Sequence, residues 1–182
     1  LAQLHASPIP GTEGGGGPFF SPDGQFIAFQ HGPSRSLRVV STAGTSPRTL
    51  VEVAGSAAGD WGTDGMVYFC SVGGGISRIP DSGVGEVQVV TTPDTSQGER
   101  HVTVDVLPNR KGALFTIWRG EPSDAEIAVV DFEAGAVWVL DRGMDPHYLP
   151  SGHLLSVRED GVLLAAPFDQ DRMEVTGAAI PL

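Results

Sequence analysis

The side chains with chemistry to offer are few and scattered. Five histidines stand at positions 5, 31, 101, 147 and 153 and a single cysteine at 70, in a chain of 182 residues. General acid–base work needs two carboxylates held about 5–10 Å apart across a substrate. Asp23 and Asp64 lie inside turn motifs, and Asp105 and Asp145 lie just ahead of two others. A local explanation serves these aspartates better, because a turn aspartate accepts backbone N–H bonds and tolerates the bend. His147 and His153 flank one turn, six residues apart, so pairing of the two strands could bring them within reach of one metal ion. No third donor stands beside them, and the competing reading has each histidine packing or hydrogen-bonding near a loop. Neither a catalytic residue nor a metal or cofactor is assigned on this basis.

Other signatures of catalysis are missing from the sequence. There is no Gly-x-Ser-x-Gly elbow for a nucleophilic serine. Gly14 to Gly17 are not followed by Gly-Lys-Ser/Thr, and they read as a mobile loop rather than a phosphate cradle. Asp169-Gln-Asp171 begins like a calcium-ligand run, but the glycine and glutamate that should follow are absent. Cys70 ends the apolar run Met66-Val-Tyr-Phe-Cys70, where a buried, inert thiol is expected, and one cysteine excludes an internal disulfide.

Composition narrows the class of partner. The formal net charge is −11, and arginine supplies ten of the eleven basic residues. Nucleic-acid binding needs cations to displace counterions from phosphates, so a nucleic-acid partner and an anionic membrane surface are both disfavoured. No run approaches the 18 or more apolar residues of a membrane span. Gly 25 and Pro 14, with 40% hydrophobic residues in short regular runs, suit an all-β chain rich in tight turns rather than disorder.

The elements that must position any site repeat. An apolar or aromatic residue runs into a polar turn closed by glycine, and an apolar strand follows, at Ser21-Pro22-Asp23-Gly24, Gly62-Thr63-Asp64-Gly65, Leu107-Pro108-Asn109-Arg110-Lys111-Gly112 and Leu149-Pro150-Ser151-Gly152. The closing glycines step by 41, 47 and 40 residues. A period of about 40–45 residues with strand signals between is the mark of a β-propeller. Strands are expected over residues 18–21, 26–29, 37–41 and 48–53, then 60–61, 66–70, 76–79 and 87–91. The third unit offers 102–107, 113–118, 126–132 and 136–140, and the last 147–149, 153–157, 162–168 and a weaker tail over 174–182. The predicted fold is therefore all-β, a β-propeller of about four four-stranded antiparallel blades, bounded near 11–58, 59–100, 101–143 and 144–182. Residues 1–10 are read as the outer strand of a preceding or closing blade. A blade cannot bury both apolar faces alone, so the first and last blades need either ring closure or a partner chain, including a second copy completing the propeller.

The run Pro18-Phe-Phe-Ser-Pro-Asp-Gly-Gln-Phe-Ile-Ala-Phe29 resembles the WD40-like (PD40), TolB-like propeller repeat, whose hallmark is a Phe-Ser-Pro-Asp-Gly turn. Trp61-Gly-Thr-Asp-Gly65 resembles a second copy with threonine for proline, and Leu149-Pro-Ser-Gly152 a third with serine for aspartate. Tyr148-Leu-Pro-Ser-Gly-His-Leu-Leu155, Leu163-Leu-Ala-Ala-Pro-Phe-Asp169 and Arg172-Met-Glu-Val-Thr-Gly177 are similar to the propeller carried behind bacterial serine/threonine kinase domains. The resemblance implies a six-bladed architecture of which this chain is part, and a periplasmic or extracytoplasmic setting. Kinase activity is not implied, since the glycine-rich loop, His-Arg-Asp and Asp-Phe-Gly are all absent.

Loops that enter the inner strands gather at one mouth of a propeller, where several blades can each lend a group to a concave site. The candidates are Asp60 and Trp61, Arg100 and His101, and Arg142 and His147, with Glu13 beside the glycine loop. Trp61 reads as an exposed anchor, whereas Trp118 and Trp138 alternate with apolar residues and read as packing between blades. The favoured function is a non-catalytic binding or scaffold module taking a protein, peptide or glycan at this loop face. The alternative is an accessory propeller of a hydrolase, or a lyase-like propeller with a His/Asp site at the channel mouth.

Overall fold

Short β-branched and aromatic runs, each closed by a turn glycine, become the strands of four consecutive sheets. The computed structural model describes residues 7–52, 58–71 and 73–182. In the first sheet β1 (Gly15–Phe20), β2 (Phe26–His31), β3 (Ser36–Ser41) and β4 (Arg48–Glu52) pair in chain order. The second holds β5 (Gly59–Trp61), β6 (Met66–Cys70), β7 (Ile76–Pro80) and β8 (Gln88–Val89). The third holds β9 (Arg100–Val106), β10 (Gly112–Trp118), β11 (Glu126–Asp131) and β12 (Val137–Arg142). The fourth holds β13 (Met144–Leu149), β14 (His153–Val157) and β15 (Leu163–Asp169), with β16 (Glu174–Val175) and β17 (Ile180–Pro181) both pairing with β15. All pairings are antiparallel, and β1, β5, β9 and β13 pack in succession along the inner side. This is the blade arrangement of a β-propeller.

The core consists of the three layers between the four blades. Ala28, Leu37, Val39 and Leu50 of the first blade meet Trp61, Val67, Phe69 and Ile79 of the second. Tyr68, Cys70 and Ile76 turn the other way, onto Val104, Ala113, Phe115 and Ile117 of the third. Leu114, Ile127 and Val129 then face Leu154, Phe168 and Met173 of the fourth. Because a middle blade is buried on both sides, β6 reads as a continuous apolar run, and β10 is interrupted only at Thr116, instead of alternating. At about 25 cal/mol per Å² of apolar surface removed from water, these layers are the main favourable term holding the blades in register.

Among the described residues the outer faces of the two terminal blades carry no such layer. On the first, Ile9, Pro18, Ile27, Phe29 and Val40 line an apolar recess of about 230 Å³, and Phe20 is 61% exposed. On the fourth, Leu163 and Ile180 stand in solvent.

Two expectations from the sequence are corrected, and the weak tail strand expected over 174–182 is present but split in two. Of the segment read as an outer strand, residues 1–6 lie outside the described residues, and 7–10 form no strand; Ile9 lies instead against the free face of the first blade. Blade four takes its outer strand from its own tail, in two pieces. The break has a cause in β15: Pro167 has no N–H, so on its outer side it only accepts, from Thr176 at 2.9 Å, and Gly177 packs on its ring. Last, the glycine run is not wholly a loop, since Gly15 and Gly16 pair with His31 and Gln30 in β1.

Gly59 tests the closeness of the first interface. A Cβ there would meet the Tyr68 carbonyl oxygen at 2.6 Å and the Phe19 ring at 2.7 Å. Gly59→Ala should cost about 1–3 kcal/mol of unfolding free energy through overpacking, whereas Gly16→Ala, which meets nothing within 4 Å, should be neutral or slightly stabilising. Urea denaturation of the two variants checks the contrast.

Candidate functional site

The inner strands place one residue per blade at the same offset, two before each turn motif: Phe19, Asp60, Asp105 and His147. An inner strand has no neighbour on its axial side, so its outward N–H groups need acceptors. The carboxylates supply them across the blade interfaces. Asp60 Oδ2 accepts from the Val106 N–H at 2.7 Å while its Oδ1 accepts from Trp61 N–H at 2.8 Å. One blade on, Asp105 Oδ2 accepts from the Tyr148 N–H at 2.7 Å, and Oδ1 lies 3.2 Å from His147 Nδ1. Burial, opposed by these N–H bonds and reinforced by the nearby Asp105 charge, holds the Asp60 carboxyl above the usual range. The hydrogen bond that His147 donates to Asp105 raises His147 instead, against its partial burial.

Just ahead of these residues the inner strands bulge. Gly17, Thr103 and Asp145 all take positive φ, at 55°, 50° and 50°, where the register of β1, β9 and β13 shifts against its partner. Positive φ at a non-glycine residue costs on the order of 1 kcal/mol or more. The surroundings hold the last two in place: buried Thr116 Oγ1 lies 2.9 Å from Thr103 Oγ1 and accepts from the Asp145 N–H at 3.0 Å. Such bulges re-aim the residues that follow them, here Asp105 and His147.

The six residues expected at one rim are therefore separated. Asp60 and His147 share the axial cluster with Asp105. His101 is not at the rim but 3% exposed, tilted on Phe115 with ring centroids 4.7 Å apart. Its Nδ1 lies 2.7 Å from Thr91 Oγ1 and its Nε2 3.0 Å from Glu99 Oε1. Glu99 in turn pairs with Arg119 at 3.0 Å, which pairs with Glu126 at 2.7 Å. Desolvation outweighs Glu99 and pushes the imidazole below its ordinary value. Such a triad of Thr, His and Glu resembles a nucleophile relay, but the Thr91 hydroxyl is buried and already accepts the Ile76 N–H at 2.9 Å. It fastens the link between the second and third blades. Arg100, next to it, lies over Gly74.

Trp61 is 8% exposed and so no open anchor; its indole N–H points at Asp81 Oδ2, 3.3 Å away, at the turn end of the first interface. Arg142 does lie at the entry face, in a recess of about 240 Å³ between blades three and four, among Pro122, Ala125, Arg158 and Leu164. Arg158 is held in a two-pronged pair by Asp160, at 3.0 and 2.6 Å, while the Arg142 guanidinium has no carboxylate partner among the described residues. His147 and His153 do not converge. They oppose Leu155 and Leu149 in the ladder, and His153 Nδ1 meets Ser151.

The turn aspartates behave as local acceptors. Asp23 Oδ1 takes the Ser21 hydroxyl at 2.6 Å and the Gln25 N–H at 3.0 Å; Asp64 takes the Met66 N–H at 3.1 Å and the Tyr68 hydroxyl at 2.7 Å. Burial raises the Cys70 thiol to about 12, so it is not a thiolate at neutral pH. Trp138 packs between blades, with its indole N–H on the Met173 carbonyl at 3.3 Å. Sequence reasoning missed Asp105 as a partner of Asp60, and Glu99 and Thr91 altogether; the equal offset of Asp60 and Asp105 from their turns was the available signal.

No family model matches the chain, and no curated protein matches it. Solved structures do. A TolB-like protein of Agrobacterium tumefaciens superposes with a TM-score of 0.64 at 20% identity, covering 89% of this chain and 62% of the other. Regucalcin, a calcium-binding protein of the same organism, superposes at 0.67 with 17% identity, covering 92% and 58%. A gluconolactonase-like protein superposes at 0.65 with 16% identity, covering 92% and 62%. At these identities the likeness is one of fold, a β-propeller. The chain spans about three fifths of the length of these structures.

Two predictions follow from the axial cluster and the buried histidine. Asp105→Ala leaves the Tyr148 N–H unpaired and should cost about 1–3 kcal/mol by urea unfolding, with Asp105→Asn costing less because the amide oxygen still accepts. The histidines act on stability in opposite senses. His101, lowered in the fold, resists protonation there, so its contribution is lost as pH falls through the unfolded value near 6.5. His147, raised, contributes below that value, and its contribution is lost as pH rises through its folded one. Unfolding midpoints between about pH 7.5 and pH 5.5 should therefore fall less steeply on acidification in His101→Gln and more steeply in His147→Gln.

Proposed function

We propose that this chain is a non-catalytic binding or scaffold module, part of a larger bacterial protein, that takes a protein or peptide partner on the face where the chain enters its inner strands. The observation that carries the reading is the occupancy of the axial carboxylates. Each oxygen of Asp60 already accepts a backbone N–H, and Asp105 divides its oxygens between a backbone N–H and an imidazole. A general acid or base must reach the proton it moves, and these groups instead satisfy the inner edges of neighbouring blades. The gluconolactonase-like neighbour brings a lactone-hydrolysing reading to mind, but that reading would need such a carboxylate free.

The entry face has the features of a docking surface. Arg142, whose guanidinium has no carboxylate partner among the described residues, lies beside Pro122 and Leu164 with Asp141 and Glu159 on the same recess, and a guanidinium presents a planar fork to a carboxylate or peptide carbonyl. Arginine next to apolar ground is a composition enriched at protein interfaces. The likeness of residues 148–155 and 163–169 to propellers carried behind kinase domains is the reason for placing the module in a larger protein.

A peptide library displayed on phage and selected against the chain tests this. Peptides enriched on the native chain should carry acidic or C-terminal carboxylate groups and lose at least about tenfold in affinity on Arg142→Glu. Enriched peptides that bind Arg142→Glu equally well would remove the entry face as the site.

A further inference from the structure

A wide cleft lies at the opposite end of the blades from the entry face, between blades one and two. It encloses about 490 Å³, a volume in the range of small-molecule sites. Phe26 is 38% exposed and faces the cleft, tilted at 31° to Trp61 with centroids 6.3 Å apart; Pro22 extends the apolar wall. Asp23, Asp81 and Arg48 supply the polar groups.

The state of those polar groups selects the ligand. Asp23 offers Oδ2, since the Ser21 hydroxyl and the Gln25 N–H both donate to Oδ1. Asp81 offers Oδ1, since the Trp61 indole holds Oδ2. Arg48 reaches across from β4 to the backbone carbonyls of Asp81 and Ser82, the latter at 3.1 Å. Both terminal nitrogens of its fork are thereby engaged by the protein, which removes the two-pronged geometry that recognises a carboxylate or phosphate. Single N–H donors remain. A cationic ligand would gain from the carboxylates but face Arg48 in the same cleft, and an anion would face two aspartates. A neutral group with many hydroxyls suffers neither conflict: each hydroxyl can donate to a carboxylate oxygen and accept from a guanidinium N–H.

We propose that the cleft between the first two blades binds a neutral saccharide, its apolar face on Phe26 and Pro22 and its hydroxyls shared among Asp23, Asp81 and Arg48. The site is independent of the entry-face reading and can stand or fall without it. The cleft is open on one side, which suits a sugar unit of a longer chain, and its walls come from two blades, so binding also clamps their interface.

Calorimetric titration of the whole chain with cellobiose, maltose and N,N′-diacetylchitobiose tests the proposal. At least one should bind with a millimolar dissociation constant or tighter. Asp81→Asn, whose amide oxygen can still accept from the Trp61 indole, should weaken it about tenfold through loss of a charge-assisted bond, and Phe26→Ser by at least as much. Thr63→Tyr, on the exposed turn at the cleft rim, should block binding without touching the core, which guards against a fold defect in the other two. The proposal is overturned if none of the three sugars binds, if binding survives Thr63→Tyr and Asp81→Asn unchanged, or if a charged dipeptide such as Gly-Lys or Gly-Asp binds more tightly than every sugar.

Discussion

A strand at the inner side of a blade array presents backbone N–H groups with no neighbouring strand to accept them, and those that are shielded from water need acceptors from elsewhere. In this chain the acceptor comes from the neighbouring blade. Asp60 reaches Val106 and Asp105 reaches Tyr148, so each carboxylate both completes a strand edge and fixes the offset between adjacent sheets. Apolar layers supply the bulk of the adhesion, but they are tolerant of sliding; a charged hydrogen bond of fixed length is not. The bulges at Thr103 and Asp145, tied together through Thr116, are what bring the following side chains to that position.

This constraint also explains where the negative charge of the chain goes. A formal −11 spread on a surface would be read as solubility alone. Much of it is instead at turns and edges, where aspartate oxygens collect N–H groups: Asp131 from Glu133 and Ala134, Asp169 from Asp171 and Arg172, Asp160 from Val162. Asn109 does the same work for Lys111 in the one turn motif that departs from the others. Three of the four turn motifs are thus alike in placing a side-chain oxygen on the N–H two residues on, from Asp23, Asp64 and Asn109.

That distinction decides what could be read from the sequence. The blades were legible because their signal is local: glycine at positive φ in Gly24, Gly65 and Gly152, and apolar runs between. Site geometry was not. Arg100 and His101 are adjacent in sequence, yet one is exposed and the other buried, because the strand period turns neighbours to opposite faces and because Thr91 and Glu99, which enclose the imidazole, come from the connection before it. Trp61 was placed in the open from its position at a strand start, whereas its large side chain is drawn into the layer between blades. The pairing of His147 with Asp105 spans 42 residues, and only their equal offset from the turn motifs of adjacent blades hints at it.

The divided outer strand of the fourth blade has a consequence for assembly. A long, straight sheet margin invites a foreign strand to add itself by main-chain bonding. Here Pro167 withholds the one donor in mid-strand, and the margin beyond it consists of two fragments of two residues each, Glu174–Val175 and Ile180–Pro181. Main-chain addition along that rim is therefore disfavoured by the shortness of both pieces.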